Sequence, residues 1–397
     1  MKMIYKSLLI FVALIILVCS SISACTSFTA TENGITLVGN NNDWYDPDVY
    51  IKIHPPIDDK YGTLIIESKY ALPWNKSHIN KCGGMNEKGL FYEKFNNYPI
   101  KFPIKSFYKK FYRPIFELEN YCLEHCATVE EVVYEYSKYN LFFMFPYQSF
   151  FVDKNGNSVI IEGDDLIYKN GYYQVVTNFL QSQTDPNNIT CKRYLTAVDM
   201  LENMTNFSID YFTSICNATH IEYTGCCTQD SEIYNLSSGE IFFYFHHMFD
   251  RFIKFNLTEE FGEGENVYYI PSLLEPENNN PPIKPKKPKI FKEGKFLRRY
   301  NFSTSTSDID NDKLYYMWDF GDGKKSEWEG PYKSSQIAVN NNMHIYRLLK
   351  TYSIRVKARD IYGSESDWSE PLTIGILKNK LFNFNPLSWL FDRFPML

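Results

Sequence analysis

The sequence predicts an α+β fold in two parts: a layered domain of strands and helices, followed by a small all-β sandwich. Hairpin signals and helical stretches alternate through the first two thirds of the chain, which favours helices packed on antiparallel sheets. A proline-rich segment at residues 275–289 then interrupts this pattern. After it, short strands separated by Asp- and Gly-rich turns are typical of a β-sandwich.

The first predicted hairpin follows directly on Cys25. Residues 26–31 are β-prone, Asn33-Gly34 is a strong signal for a two-residue turn, and residues 35–38 form the return strand. Cys25 is therefore expected at the start of a strand. The remaining predicted elements are strands at 63–67, 149–152, 158–162, 172–177, 315–318, 352–358 and 372–376, and helices at 116–137 and 193–203.

Residues 1–24 have the pattern of a secretory signal peptide. Lys2 and Lys6 precede an apolar stretch, and small residues close the segment at Ala24. A basic start, an apolar core of about 7–15 residues and a small-residue exit are typical of a segment removed on export. No later run is apolar over the length of a transmembrane helix, so we expect a secreted or cell-surface protein after signal removal.

Composition excludes some classes of function. The net charge of -6 argues against a nucleic-acid-binding protein, which would show clustered Lys and Arg. Export favours disulfides among the cysteines from Cys82 to Cys227, although their pairing is not readable from spacing. Adjacent His246 and His247 lie in an aromatic stretch that is expected to be a packed helix or strand, where neighbours face different ways. We therefore predict no metal and no cofactor.

The part after the proline-rich segment resembles polycystic-kidney-disease-type (PKD) domains. The resemblance lies in WDFGDG at 318–323, followed by HIY at 344–346, YSIRV at 352–356 and Asp360. It covers about residues 288–376 and implies an immunoglobulin-like surface module. Such modules are spacers or adhesive attachments, so any contact with a surface or a glycan is expected here.

Three acidic residues in this second part offer oxygen ligands at alternate positions: Asp308, Asp310 and Asp312. That pattern suits calcium. The glycine and the distal glutamate of the usual calcium loop are absent, so a solvated turn is favoured.

Cys25 admits two interpretations. If the signal is cut after Ala24, Cys25 carries an α-amine beside its thiol, and an amine with a pKa near 8 can act as the thiol's general base. Residues 22–25 also fit a lipoprotein processing site, where lipidation would alkylate the sulfur and block the amine. The tetrapeptide alone does not distinguish them.

The residues downstream of Cys25 favour the nucleophile. GNNNDW at 39–44, GMNEKGL at 84–90, VVTN at 175–178 and KRY at 192–194 follow in the order seen in choloylglycine hydrolases. Penicillin V acylases, other linear-amide C–N hydrolases and the acyl-CoA:6-aminopenicillanate acyltransferases share this order. The resemblance covers about residues 25–271 and implies an N-terminal-nucleophile (Ntn) hydrolase with an αββα sandwich.

This resemblance assigns roles to four further residues. Asp43 would hold the α-ammonium of Cys25, and Arg193 would fix Asp43 and Cys25 electrostatically. Asn178 would donate its amide to the developing oxyanion or hold the substrate, and Asn96 falls where a second amide donor is often placed. Donors aimed at a tetrahedral oxygen typically contribute about 3–4 kcal/mol each.

The domain prediction follows from these segments. We expect a signal peptide at residues 1–24, the amidase domain at 25–274, the linker at 275–289, the PKD-type sandwich at 290–376 and a tail of unassigned role at 377–397.

One departure bears on specificity. Bile-salt hydrolases and penicillin V acylases usually carry Arg where this chain has Asn40, which puts those two specificities in doubt. The predicted function is an exported cysteine amidase that cleaves small linear N-acyl amides through a thioester, with acyl transfer open if water is excluded. The alternatives are a non-catalytic surface lipoprotein lipidated at Cys25 and an exported cysteine peptidase.

Overall fold

The computed structural model describes residues 25–44, 47–72, 75–96, 105–106, 108–112, 117–142, 147–223, 226–293, 299–341 and 343–376. The predicted signal peptide and C-terminal tail lie outside these residues. Contacts divide the chain into two compact units. The first ends at Asn278 and also takes in Ile361–Gly363, and the second begins at Asn279 and holds the other later residues. Within the described ranges, no helix is long and apolar enough to cross a membrane.

In the first unit, groups of strands alternate with groups of helices along the chain. Its strands are β1 Thr26–Glu32, β2 Ile35–Trp44, β3 Val49–His54, β4 Thr63–Leu72, β5 Asn75–Asn86, β6 Phe91–Asn96, β7 Tyr147–Val152, β8 Ser158–Glu162, β9 Asp165–Tyr168, β10 Tyr173–Val176, β11 Glu222–Tyr223, β12 Cys226–Asn235, β13 Glu240–Phe245, β14 Ile253–Asn256 and β15 Asn266–Tyr269. Its helices are α1 Leu118–His125, α2 Val129–Tyr136, α3 Lys192–Glu202, α4 Ile209–Thr219, α5 Leu257–Glu263 and α6 Ile270–Leu273.

These strands form two antiparallel sheets. The first has the order β10-β1-β2-β12-β13-β14, with β11 also on β12, and the second has the order β15-β3-β4-β5-β6-β7-β8-β9. Helices α3 and α4 pack on β10, β1, β2 and β12, whereas α1 and α2 pack on β5, β6 and β7. The rings of Phe91 and Tyr234 meet between the sheets, with centroids 4.8 Å apart. The predicted αββα sandwich is therefore confirmed.

Strand β2 shows how this layering encloses the candidate site. Asn41 faces the helices, where its amide donates to Cys216 O at 2.9 Å. Asn40 faces the other way, and its amide lies 3.3 Å from Glu93 Oε2 on the opposite sheet. Because successive strand residues point to opposite faces, β2 is covered on both sides. The polar run at 40–43 is consequently buried.

The first hairpin matches its prediction. Glu32 pairs with Ile35, which leaves Asn33 and Gly34 as a two-residue turn. Their φ angles are 51° and 78°, and positive φ at both positions is the requirement of the turn that suits twisted strands. Asn and Gly tolerate that conformation, so the sequence specifies the register of β1 on β2.

Two predicted elements differ from the structure. The single helix expected at 116–137 is two helices, because Thr128 begins α2 by accepting a hydrogen bond from Glu131 N in a capping box. The stretch containing His246 and His247 leaves β13 after Phe245, and both histidines have positive φ, of 50° and 52°. They lie in a turn, so the expectation that neighbouring side chains face opposite ways does not apply to them.

The second unit is built entirely of strands within its described residues. These are β16 Lys289–Glu293, β17 Arg299–Thr304, β18 Leu314–Asp319, β19 Glu329–Tyr332, β20 Ala338–Val339, β21 His344–Ile345, β22 Thr351–Asp360 and β23 Leu372–Gly375. One sheet has β17 between β16 and β20, with β21 also on β17, and the other has the order β19-β18-β22-β23. Trp318, Phe302 and Ile354 are fully buried in the core. The predicted small β-sandwich is confirmed.

The proline-rich segment is extended, and its later half packs on the second unit. Pro282, Pro285 and Pro288 are buried while the residues between them are exposed. Ile283 N donates to Ser307 O at 3.0 Å, and Lys286 N donates to Ser305 O at 3.1 Å. A burial period of three is the repeat of a polyproline II segment, which lets every third residue face one surface. These residues therefore form an edge of the second unit, whereas the sequence predicted a linker there.

The disulfides expected from export are not formed among the cysteines whose side chains the structure describes. Cys122 and Cys126 lie on consecutive turns at the end of α1, and Cys216 lies on the buried face of α4. Burial as small apolar side chains accounts for these three positions.

Candidate active site

Arg193 on α3 connects the start of β1 to the end of β2. Its Nη1 lies 2.7 Å from Cys25 O and 2.7 Å from Thr26 Oγ1. The same nitrogen lies 3.3 Å from Asp43 Oδ2. Cys25 is 6% exposed, and Asp43 is fully buried. One guanidinium therefore fixes the backbone of the predicted nucleophile against a buried carboxylate.

The second half of this guanidinium reaches the predicted amide donors. Arg193 Nη2 lies 3.3 Å from Asn178 Oδ1, and Asn178 Nδ2 lies 3.1 Å from Asn96 O. Asn178 follows β10, which pairs directly with β1, and Asn96 ends β6 of the facing sheet. The structure thus brings all five predicted residues together. Asn96 makes this contact through its main chain, whereas the prediction used its side-chain amide.

Asp43 lies in an environment that opposes its ionisation. Burial raises the pKa of its carboxyl to about 7, against the lowering effects of Arg193 and of a hydrogen bond from Thr228, and nearby Asp230 adds to the increase. Thr228 Oγ1 donates to Asp43 Oδ1 from the neighbouring strand β12. The carboxyl group therefore changes charge near neutral pH.

The thiol of Cys25 is also difficult to ionise. Burial raises its pKa well above the usual value, the carboxyl groups of Glu93 and then Asp43 raise it further, and a hydrogen bond from the backbone N–H of Asp43 opposes them. A thiol in this state is protonated at neutral pH, and the thiolate is the nucleophile. Attack by Cys25 thus requires a base beside the sulfur.

Three buried acidic residues behind the site were missed by the sequence interpretation: Glu93, Asp230 and Glu232. Asn40 Nδ2 lies 3.3 Å from Glu93 Oε2 and 2.9 Å from Glu232 Oε2. Burial raises the pKa of Glu93 to about 8. It also raises the pKa of Asp230 and Glu232, which are hydrogen-bonded to each other.

This cluster gives the neutral Asn40 a structural role. Its amide donates to carboxyl groups from both sheets, while its oxygen accepts from Ser27 Oγ. Asn42 adds a bond of 2.6 Å to Asp230 Oδ2. The sequence carries no signal for this cluster, because TQDSE at 228–232 is a polar run whose burial only the structure shows.

In the second unit, the carboxylates of Asp308, Asp310 and Asp312 offer ligand atoms within 4.8 Å of one another. Asp308 Oδ1 accepts hydrogen bonds from the backbone N–H groups of Asp310 at 2.8 Å and Asp312 at 3.3 Å. The same residues thus form the turn that the sequence favoured and present oxygens that could hold a hard cation.

Similarity to known proteins is found for both units. A comparison with curated proteins finds no match. Among solved structures, the chain is similar to a penicillin V acylase from Agrobacterium tumefaciens, at 19% identity and a TM-score of 0.43, over 56% of this chain and 83% of that one. It is also similar to an arginine-to-leucine variant of conjugated bile acid hydrolase from Clostridium perfringens, at 15% identity and a TM-score of 0.47, over 64% of this chain and 100% of that one.

The second unit has its own counterparts. Residues 296–371 match the family model of the PKD domain. The PKD domain of an M14-like peptidase from a Thermoplasmatales archaeon is 33% identical, with a TM-score of 0.23, over 25% of this chain and 99% of that domain. The WDFGDG run lies where β18 turns, with Gly321 at a φ of 73° against the backbone of Ser353. Through residues 296–371, this chain belongs to the PKD domain family.

Proposed function

We propose that the first unit is an exported N-terminal cysteine amidase that hydrolyses linear N-acyl amides. The observation that carries this proposal is the contact of one guanidinium, that of Arg193, with Cys25, Asp43 and Asn178. Cleavage after Ala24 would leave the α-amine of Cys25 as the base that its protonated thiol requires. No histidine partner is then needed.

The proposed reaction proceeds in two steps. The Cys25 amine takes the thiol proton, the sulfur attacks the acyl carbon, and the oxygen of that carbonyl becomes an oxyanion. The α-ammonium then gives its proton to the leaving amine as the C–N bond breaks, and a thioester remains on Cys25. Water, deprotonated by the same amine, attacks the thioester and releases the carboxylic acid.

The surrounding residues supply orientation and charge in this proposal. Ionised Asp43 stabilises the α-ammonium, and Arg193 limits how far that carboxylate and the Cys25 backbone can move. Asn178 accepts a hydrogen bond from Nη2 of the same guanidinium. Its side-chain N–H would donate to the acyl oxygen. An amine acceptor in place of water would give acyl transfer.

The test uses mature protein whose N-terminus is verified by intact mass. A panel of acyl-amino acids, acyl-homoserine lactones, penicillin V, conjugated bile salts and dipeptides should contain a substrate that is hydrolysed with transient acylation of Cys25. Cys25→Ala should abolish turnover, and Cys25→Ser should reduce it severely, whereas Cys122→Ala in the helical layer should retain it. Full activity in Cys25→Ala, or a diacylglyceryl group on native Cys25, would overturn the proposal.

A further inference from the structure

Strand β12 contains a β-bulge beside the candidate active site. Thr228 pairs with Asp43 of β2, and Asp230 pairs with Asn42, which makes Gln229 the extra residue of the bulge. Asn42 and Asp43 are consecutive strand residues, so their side chains point to opposite faces of the sheet. The bulge therefore places Thr228 on the face of Asp43 and Asp230 on the face of Asn42. Without the extra residue, Thr228 and Asp230 would share one face.

The hydroxyl group of Thr228 is oriented by the backbone of Ile221, which precedes β11. Ile221 N donates to Thr228 Oγ1 at 2.9 Å, and Thr228 N donates to Ile221 O at 3.0 Å. A hydroxyl group has one proton to donate and two lone pairs that accept. Because the N–H of Ile221 uses a lone pair, the proton is left for Asp43 Oδ1, which accepts it in a hydrogen bond. Thr228 is fully buried, so bulk water does not compete for this bond.

The titratable and charged side chains around Asp43 come from several elements: Arg193 of α3, Cys25 ahead of β1, Asp230 of β12 and Cys216 of α4. Burial has the largest effect on the pKa of Asp43 and raises it, and Asp230 raises it further. Arg193 and the hydrogen bond from Thr228 lower it. These two contacts divide the carboxylate between them, since Arg193 Nη1 lies 3.3 Å from Oδ2 while Thr228 donates to Oδ1.

We propose that Thr228 is a positioning residue of the amidase site, whose hydroxyl group holds Asp43 in place and in its ionised form. The inference rests on the proposed function, in which ionised Asp43 stabilises the α-ammonium of Cys25. A hydrogen bond donated to a carboxylate favours the charged form, and such bonds are stronger than those between neutral groups. Bulges next to active sites commonly re-aim a side chain, which is the effect of Gln229 on Thr228.

The experiment measures kcat/KM against pH for the mature native protein and for Thr228→Val, which keeps the shape of the side chain and removes the hydroxyl group. The rise that depends on Asp43 should move to higher pH by about one unit. At pH 6 the variant should therefore be about tenfold less active than the native protein, and the difference should narrow above pH 9. A purely structural defect would lower kcat/KM by the same factor at every pH.

Two further variants on β12 serve as controls. Thr228→Ser restores the donor and should return the midpoint to the native value. Ser231 is also fully buried, but its hydroxyl group donates to Asn41 Oδ1 at 2.6 Å. Ser231→Ala should therefore keep the native midpoint. Thermal unfolding checks that each variant folds, and Thr228→Ala replaces Thr228→Val if the valine variant does not.

A second measurement separates this inference from the proposed function. Carbon-13 NMR follows the titration of the Asp43 carboxyl group in mature protein without substrate. The native group should titrate near pH 7, and Thr228→Val should raise that midpoint by about one unit. A native protein that hydrolyses no amide would overturn the proposed function, and this titration would still decide whether Thr228 controls Asp43.

Three results would overturn the inference in an active protein. They are equal midpoints in the native protein and Thr228→Val, a shift that Thr228→Ser does not reverse, and an equal shift in Ser231→Ala. The first would show that the hydrogen bond has no effect on Asp43. The other two would show that any change in the packing of β12 moves the pH profile.

Discussion

Arg193 Nη1 lies 3.3 Å from Asp43 Oδ2, with the carboxylate fully buried and the Arg193 side chain 17% exposed. A buried ion pair of this kind contributes little net stability when intact, yet removal of one partner leaves an uncompensated charge. In this chain the cation also holds Cys25 and Asn178. Loss of Arg193 should therefore affect stability and catalysis together.

Arg193→Ala should destabilise the first unit by about 3–5 kcal/mol, as expected when a buried pair is broken. Arg193→Lys keeps the charge, but one ammonium does not span from Cys25 to Asn178 as the planar guanidinium does. We expect Arg193→Lys to fold and to lose about 100-fold in kcat, because a displacement of 1 Å at a reacting centre has that effect. Lys192→Ala, an exposed neighbour on α3, is the control. Equal kcat values in Arg193→Lys and the native chain would show that Arg193 does not position the site.

The pH dependence of activity should report on Asp43. Since its pKa is about 7, the carboxyl ionises as pH rises through 7 and only then stabilises the α-ammonium. We expect kcat/KM of the native protein to rise through that range. In Asp43→Asn, kcat/KM should rise only with the titration of the Cys25 amine near pH 8, and its plateau should be lower than that of the native protein. An unchanged midpoint in the variant would remove Asp43 from the site.

The pH dependence of stability should report on Glu93. Its pKa is raised in the folded protein to about 8, above the value near 4 in an unfolded chain. The folded state therefore binds more protons between these values, so its stability is greatest at low pH and falls as pH rises through about 8. Glu93→Gln cannot ionise and should show a smaller fall in Tm between pH 5 and pH 9. The exposed Glu263→Gln should behave like the native chain, and an equal fall in all three proteins would contradict this account.

The second unit should be dispensable for chemistry. All five proposed site residues precede the boundary at Asn278, and Pro282 is already part of the second unit. A chain ending at Asn278 should retain kcat on a small soluble amide within a factor of about two. If this chain folds, shown by circular dichroism, and its turnover collapses, a site residue lies in the second unit.

Sequence reasoning named all five residues of the proposed site, because each belongs to a short motif that can be recognised in the sequence alone. Cys25 follows the predicted signal-peptide exit, Asn178 follows strand β10, and Arg193 lies in the first turn of helix α3. The layer that surrounds them was not predictable in the same way. Glu93, Asp230 and Glu232 are ordinary charged residues in sequence, and only pairing of β2 with β12 and packing against β6 brings them together.

The same limit explains the differences in local structure. The break between α1 and α2 depends on a capping box at Thr128 within an otherwise helical pattern. The packing of Pro282, Pro285 and Pro288 depends on the second unit, whose Ser305 and Ser307 carbonyls accept hydrogen bonds from the segment between them. Composition indicates that the proline-rich segment is extended. Only the tertiary contacts show that it packs on the second unit.

The central claim is that the base is the α-amine of Cys25, and a retained N-terminal extension tests it most directly. In a chain that begins Met-Ala-Cys25, the amine becomes an amide nitrogen that accepts no proton near neutral pH, and the buried thiol stays protonated. The measurement is turnover paired with N-terminal mass on the same sample. The account predicts no turnover while the extension is present and recovery once it is trimmed. Substantial turnover by molecules shown to retain the extension would contradict the account.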